Sequence, residues 1–323
     1  MTAERKKLII GYSCGILATL FWGFHSVVIR MLIKQGIDPF LIASLRLFIG
    51  SAVLSTILFI VSVAKRQKYP RVHYSPFFWL ISICLGINFL LFQKGLEFTI
   101  ASDAVLLEAF SPVMVLLIVM LFLPKRIHHL LIHRGIPHKI LWTVIIGSIG
   151  SSLLLVNYST DLLISRNLKL VGDFIEFIAM FVWALVMLGM HEYHKREAGS
   201  NILATTSQFL LAAALITSPL GSWSQIVSIT PVQWFWISVF GIFSTAGAYV
   251  LWHTASKYLD VLPLVVIFNL TSIFTVITES FVLGFTISWK VFLGGALILY
   301  AAMNAKILNT KYKILERDEM GGE

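Results

Sequence analysis

The stretch ATLFWGFHSVVIRMLIKQGIDPFLIASLR, from Ala18 to Arg46, holds the key to the whole chain. Its first part closes an apolar run of more than twenty residues, long enough to cross a hydrocarbon layer about 30 Å thick. Gly36, Asp38 and Pro39 then interrupt it, because proline cannot continue a helix yet suits the first turn of the next one. A second apolar run opens at once and carries a cation, Arg46, at a depth where a lone charge costs at least about 2.5 to 3.5 kcal/mol. Two spans, a tight turn and a costly buried charge predict a helical membrane protein with a polar site inside it.

The rest of the 323 residues repeats the pattern. Ten apolar runs are predicted as spans: 8–30, 39–63, 77–94, 102–123, 140–157, 170–191, 202–219, 233–256, 262–284 and 289–306. With 58% hydrophobic and 13% charged residues and a mean hydropathy of +0.86, against about 45–50% and 25% in soluble domains, a water-soluble globular fold is excluded. The +9 net charge lies in the connections. Eighteen Lys and Arg fall on the side of both termini and six on the other, which predicts a multi-pass plasma-membrane protein with cytoplasmic termini. The basic charge is therefore topogenic and no nucleic-acid partner is expected. Cys14 and Cys84 sit inside spans and read as small core residues, not as a disulfide. His128, His129, His133 and His138 crowd one loop among Arg126, Arg134 and Lys139, and such neighbouring cations oppose a metal ion, so no metal site is expected. No G-x-x-x-x-G-K-[ST] occurs, which excludes ATP-driven transport by this chain alone; no cofactor is expected.

The second half restates the first. Gly11, Ala18, Trp22 and Lys34 correspond to Gly172, Ala179, Trp183 and Lys195 at an offset of 161, and Arg46 falls on Gln208 at 162. Pro112 falls on Ser272 at 160, and Trp142 with Gly147 on Trp289 with Gly294 at 147. The repeats are residues 1–158 and 159–323, the second ending in a short cytoplasmic tail. Five spans per repeat force opposite orientations across the membrane, the inverted design that lets one site open to each side in turn.

At these residues the chain resembles the EamA-type ten-helix transporters of the drug/metabolite transporter superfamily. The opening W-G, single proline and closing Arg of Ala18–Arg46 match, as do GLEFTIASDAVLLEAFSPVMVLLIVMLFL from Gly95 to Leu123 and FSTAGAYVLWHTASKYLDVLPLVV from Phe243 to Val266. Departures are Ser272 for the proline of helix nine, Phe285 at the end of a family L-G-E, and Lys125 at an acidic position. The resemblance implies an all-α fold of ten transmembrane helices, with a central cavity built from spans one, three, four, six, eight and nine.

Those spans carry the mixed polar stripes. Arg46 and Glu108 lie at equal depth from the outer face, so an ion pair is expected between them; Glu176, Glu279 and His25 lie at similar depth. Helical spacing puts Glu176, Met180, Trp183 and Met187 on one face, Thr245, Tyr249, Trp252 and Ser256 on another, and Asn269, Ser272, Val276 and Glu279 on a third. Carboxylate, thioether and indole together suit an amphipathic organic ligand better than a bare ion. The expected substrate-binding residues are Trp22, His25, Arg46, Glu108, Glu176, Trp183, Tyr249, Asn269 and Glu279, with Pro112 as a hinge, because a proline frees a backbone carbonyl inside a helix. Glu108, then Glu279, then Glu176 are candidates for a coupling proton. The function expected is secondary transport of a small organic metabolite, an amino acid or related amphipath, as an exporter; the direction comes from the resemblance alone. The alternative is a membrane-embedded enzyme or a flippase acting on lipid or a lipid-linked substrate. Expected partners are the small-molecule substrate, membrane lipid, a proton and a second copy in a homodimer.

Overall fold

The computed structural model describes residues 3–99, 101–108, 110–111, 114–115, 118, 136–155, 166–197, 199–283, 289–290, 292–301 and 303–304. Among them the regular structure is helical: α1 (Ala3–Lys34), α2 (Pro39–Ala64), α3 (Pro76–Phe98), α4 (Ala101–Glu108), α5 (Ile136–Leu155), α6 (Arg166–Arg196), α7 (Ile202–Thr217), α8 (Pro231–Tyr258), α9 (Val261–Phe268), α10 (Leu270–Leu283) and α11 (Phe292–Ala301). Six of the described helices, α1, α2, α3, α6, α7 with its 3-10 extension, and α8, are long and apolar enough to cross a bilayer; Leu141–Gly150, Val266–Val282 and Phe292–Ala301 are shorter apolar pieces. Pro112, the His128–His133 loop, the boundary near residue 158 and the tail fall outside the described residues.

Local chemistry sets the helix starts. Asp38, Ser75 and Thr230 each precede a proline, and each side chain accepts the backbone N–H three residues on, at 3.0, 3.2 and 3.3 Å. The cap satisfies an otherwise orphaned donor and the proline presets the helical φ. Gly36 takes φ +93° in the α1–α2 turn, where a side chain would be strained. Asp38 also accepts from Ser222 N at 2.8 Å, tying that turn to the α7–α8 connection.

Packing is reciprocal. α3 packs along α6 as α8 packs along α1, and α3 rests on α7 as the middle of α8 rests on α2. Each repeat thus buries its third helix against the first and second helices of the other. Gly172 of α6 meets the α3–α4 turn, where a Cβ would stand 2.8 Å from Phe98 C and Thr99 N; its counterpart Gly11 of α1 meets the α8–α9 turn, 2.8 Å from Leu259 Cγ. Large apolar side chains stay exposed on the outside, Phe59, Phe174, Phe281 and Phe292 among them, as a lipid-facing surface requires. Span nine, expected to be continuous, breaks at Asn269 into α9 and α10, and the backbone tightens there through Asn269 N to Val266 O at 3.2 Å.

Candidate functional site

At the crossing of seven helices lies a cavity of about 40 Å³, lined by Trp22 and His25 (α1), Arg46 (α2), Asn88, Phe89 and Phe92 (α3), Glu108 (α4), Trp183 (α6), Tyr249 (α8) and Phe268 (α9). Six of the nine expected site residues meet here: Trp22, His25, Arg46, Glu108, Trp183 and Tyr249. The volume holds a few waters and is far below the roughly 300 to 1,000 Å³ of a small-molecule site, so this conformation is contracted around its aromatic lining.

The repeat mates Trp22 and Trp183 form the centre, edge to face with ring centroids 5.4 Å apart. Tyr249, Trp252 and Phe268 surround Trp22 at 5.5, 5.2 and 5.8 Å. A local irregularity orients this box. Within α8, Gly241–Gly247 is π-helical, a widened turn common at functional sites. There the Ser244 carbonyl accepts from Trp22 Nε1 at 3.0 Å, and the Ser244 hydroxyl accepts from Arg46 Nη2 at 3.2 Å while donating to Phe240 O at 2.8 Å. One serine therefore positions both an indole and a guanidinium.

Arg46 is 2% exposed, its guanidinium carbon 5.4 Å from the Phe89 ring centre. The expected ion pair with Glu108 is not formed. Both line the cavity, yet among the described residues no carboxylate lies within pairing distance of the guanidinium, and Nε has no hydrogen-bond partner. Equal depth along two helices fixes height but not azimuth. Gln208, the repeat mate of Arg46, instead accepts from Tyr74 at a more exposed place, so the cationic pocket belongs to one repeat only. His25 donates from Nδ1 to Trp22 O at 2.6 Å, which leaves Nε2 as the acceptor of a neutral ring.

The other three expected residues stand behind this shell. Glu176 is 1% exposed, and neither carboxyl oxygen has a hydrogen-bond partner among the described residues. It lies over Gly95, where any Cβ would overlap the carboxyl. Asn269 sits at the α9–α10 break against Gly147, and Glu279 is buried on α10. Sequence reasoning missed Asn88, which donates to Ala179 O at 2.8 Å and joins α3 to α6, together with Phe89, Phe92, Phe268 and Ser244. Phe92 lies tilted against His25, ring centres 5.6 Å apart; a phenylalanine in an apolar span carries no signal of which way it faces. Next to Tyr249 the box continues into a polar layer: His253 contacts Thr206 Oγ1 at 2.5 Å and Met190 Sδ at 2.9 Å, with His194 at 5.3 Å between ring centres.

Comparisons with known proteins agree with this architecture. The model of the EamA-like transporter family matches residues 9–156 and 170–304. A solved structure, titled only as a crystal structure of a protein, is similar over 94% of this chain and 98% of its own, with a TM-score of 0.70 at 16% identity, which shows a shared fold. No curated protein sequence matches.

Proposed function

The chain belongs to the EamA-like transporter family and is a multi-pass membrane protein; from that premise we propose that it is a secondary transporter exporting an amphipathic metabolite, an amino acid or close relative, across the plasma membrane. The observation that carries this reading is a buried guanidinium with no carboxylate partner among the described residues, on the wall of an aromatic box that also displays Glu108. A buried charge without a partner is costly. Here it is retained with one nitrogen uncommitted, as a carboxylate-binding group would be. The rings of Trp22, Trp183 and Tyr249 suit an apolar body, and Glu108 suits a cationic group.

Ten helices in two inverted five-helix repeats, with cytoplasmic termini, fit the reciprocal packing and the charge count. The matched seats at Gly11 and Gly172 support two gates on opposite sides of the cavity. Since the cavity is too small for a metabolite, the loaded states open it by moving one hairpin, α3–α4 or α8–α9, from its glycine seat. A coupling proton on Glu108, Glu176 or Glu279, lipid around the exposed apolar faces and a homodimer complete the proposal.

The test is an untargeted comparison of metabolites released by cells with the wild-type chain, with Arg46→Met and with neither. The expected result is a zwitterionic or anionic amphipath enriched outside wild-type cells only. Identical profiles in all three would overturn the reading.

A further inference from the structure

The two first helices cross the third helix of the other repeat at matched positions. In the first repeat, a Cβ added at Gly15 of α1 would stand 3.3 Å from Ile267 Cγ2 of α9 and an ordinary 3.7 Å from Ala255 Cβ of α8. The equivalent positions of the other crossing, at offsets of 161 and 160, are Glu176 of α6 and Gly95 of α3. Where the first crossing sets a glycine beside an alanine and an isoleucine, the second sets a carboxyl over a glycine. The exchange is compensated sterically, because Gly95 makes room that an alanine would fill, but not electrically, because both Glu176 oxygens lack partners among the described residues.

The surroundings explain why the acid stays unpaired. Asp173, one turn away on α6, accepts from Thr99 Oγ1 at 2.5 Å and from Lys169 at 3.0 Å. On α3, Lys94 is paired with Glu97 at 2.6 Å. Arg30 of α1 donates to Thr99 O at 2.9 Å. Glu108 of α4, close enough to interact electrostatically, brings a second acid and no cation. Of these cations, Lys94 and Lys169 pair with acids on their own helices and Arg30 holds the α3–α4 turn.

We propose that Glu176 is a proton-binding residue that controls the α3–α4 gate: protonated, it lets α6 seat on α3, and releasing that proton to water drives the two helices apart. The mate crossing, Gly15 on Ala255, has no carboxyl at the equivalent position, although Asp260 and His191 stand near the α8–α9 turn, so a proton on Glu176 acts on the α3–α4 gate alone. A carboxylate tolerates this site only once water reaches it; ionisation and opening are therefore one event. The proposal rests on the transport reading only in treating the seat as a gate.

The experiment uses the full chain in lipid nanodiscs with Cys14→Ala and Cys84→Ala, and Asn88→Cys as the reporter on the cavity wall. Its rate of reaction with a small maleimide is followed from about pH 5.5 to about pH 8.5, and the parent rate is divided by each variant's rate at the same pH, so the thiol's own titration cancels. For Glu176→Gln this ratio should rise about tenfold with pH, since only the parent opens. Glu176→Gly combined with Gly95→Ala copies the mate crossing, so it packs without the carboxyl and should give the same rise. A ratio flat with pH for both variants overturns the proposal. No transported solute enters the measurement, so its failure would leave the transport reading standing, and unchanged metabolite release would leave this one standing.

Discussion

Replacing Gly172 with alanine adds one methyl at the seat of the α3–α4 turn. That carbon would stand 2.8 Å from Phe98 C and Thr99 N, about 0.6 Å inside the 3.4 Å at which ordinary contact begins. Both opposing atoms are backbone, so no side chain can swing away. The turn itself must move, and it is held by the bonds from Arg30 and to Asp173. Overpacking of this kind costs about 1 to 3 kcal/mol, which at about 2 to 4 °C per kcal/mol for a chain of this order is a fall of about 2 to 12 °C in apparent melting temperature. Gly199→Ala is the control, because nothing lies within 4 Å of its added carbon and its φ is not in the left-handed region; it should be neutral or gain a few tenths of a kcal/mol. The assay is thermal unfolding of both variants in one detergent, with Asn88→Cys labelling run in parallel. Gly172→Ala should melt lower and label faster. Equal melting of the two variants would refute the close approach and the gate built on it.

Neutralising Arg46 and Glu108 together should cost at least as much stability as the worse single change, because the residues share a cavity without forming a pair; a double variant, Arg46→Met with Glu108→Gln, more stable than either single variant in melting curves would restore the ion pair. Trp22→Phe removes the bond to Ser244 O, worth about 0.6 and at most about 1.7 kcal/mol in a bilayer, and leaves a gap in the ring cluster, so an unchanged melting temperature would contradict the assigned geometry. Single cysteines at Tyr69 and Gly36 should be, respectively, shielded from and labelled by an impermeant thiol reagent in intact cells, and the reverse pattern would invert the orientation.

Much of the site was legible because it is costly. Arg46, Glu108 and Glu176 stand out in apolar runs, and Trp22 and Trp183 are marked by the 161-residue repeat. Their depths were readable from position along a helix, but their azimuths were not, which is why Arg46 and Glu108 were expected to pair and Asn269 and Glu279 to line the cavity. The π-helical turn that brings Ser244 to Arg46 changes the register of α8 after Gly241; it arises from packing on α2, where Gly50 meets Thr245 and the Gly241 carbonyl, and no propensity announces it. The break at Asn269 was missed for the same reason, since asparagine inside an apolar run carries only a weak turn signal. The equivalence of Gly11 and Gly172 was visible as repetition. That both are seats for helix turns became visible only once the opposing turns, 247 and 74 residues away at Tyr258 and Phe98, were in place.

The most direct test of a transporter that holds an amphipath through Arg46 is efflux from proteoliposomes preloaded with a mixture of the common amino acids. Liposomes carrying the wild-type chain should lose at least one of them faster than empty liposomes do. Arg46→Met should slow that loss about 10- to 100-fold, the equivalent of one charge-assisted hydrogen-bonding contact. Wild-type efflux no faster than that of empty liposomes for every solute, or efflux through Arg46→Met equal to wild type, would contradict the account.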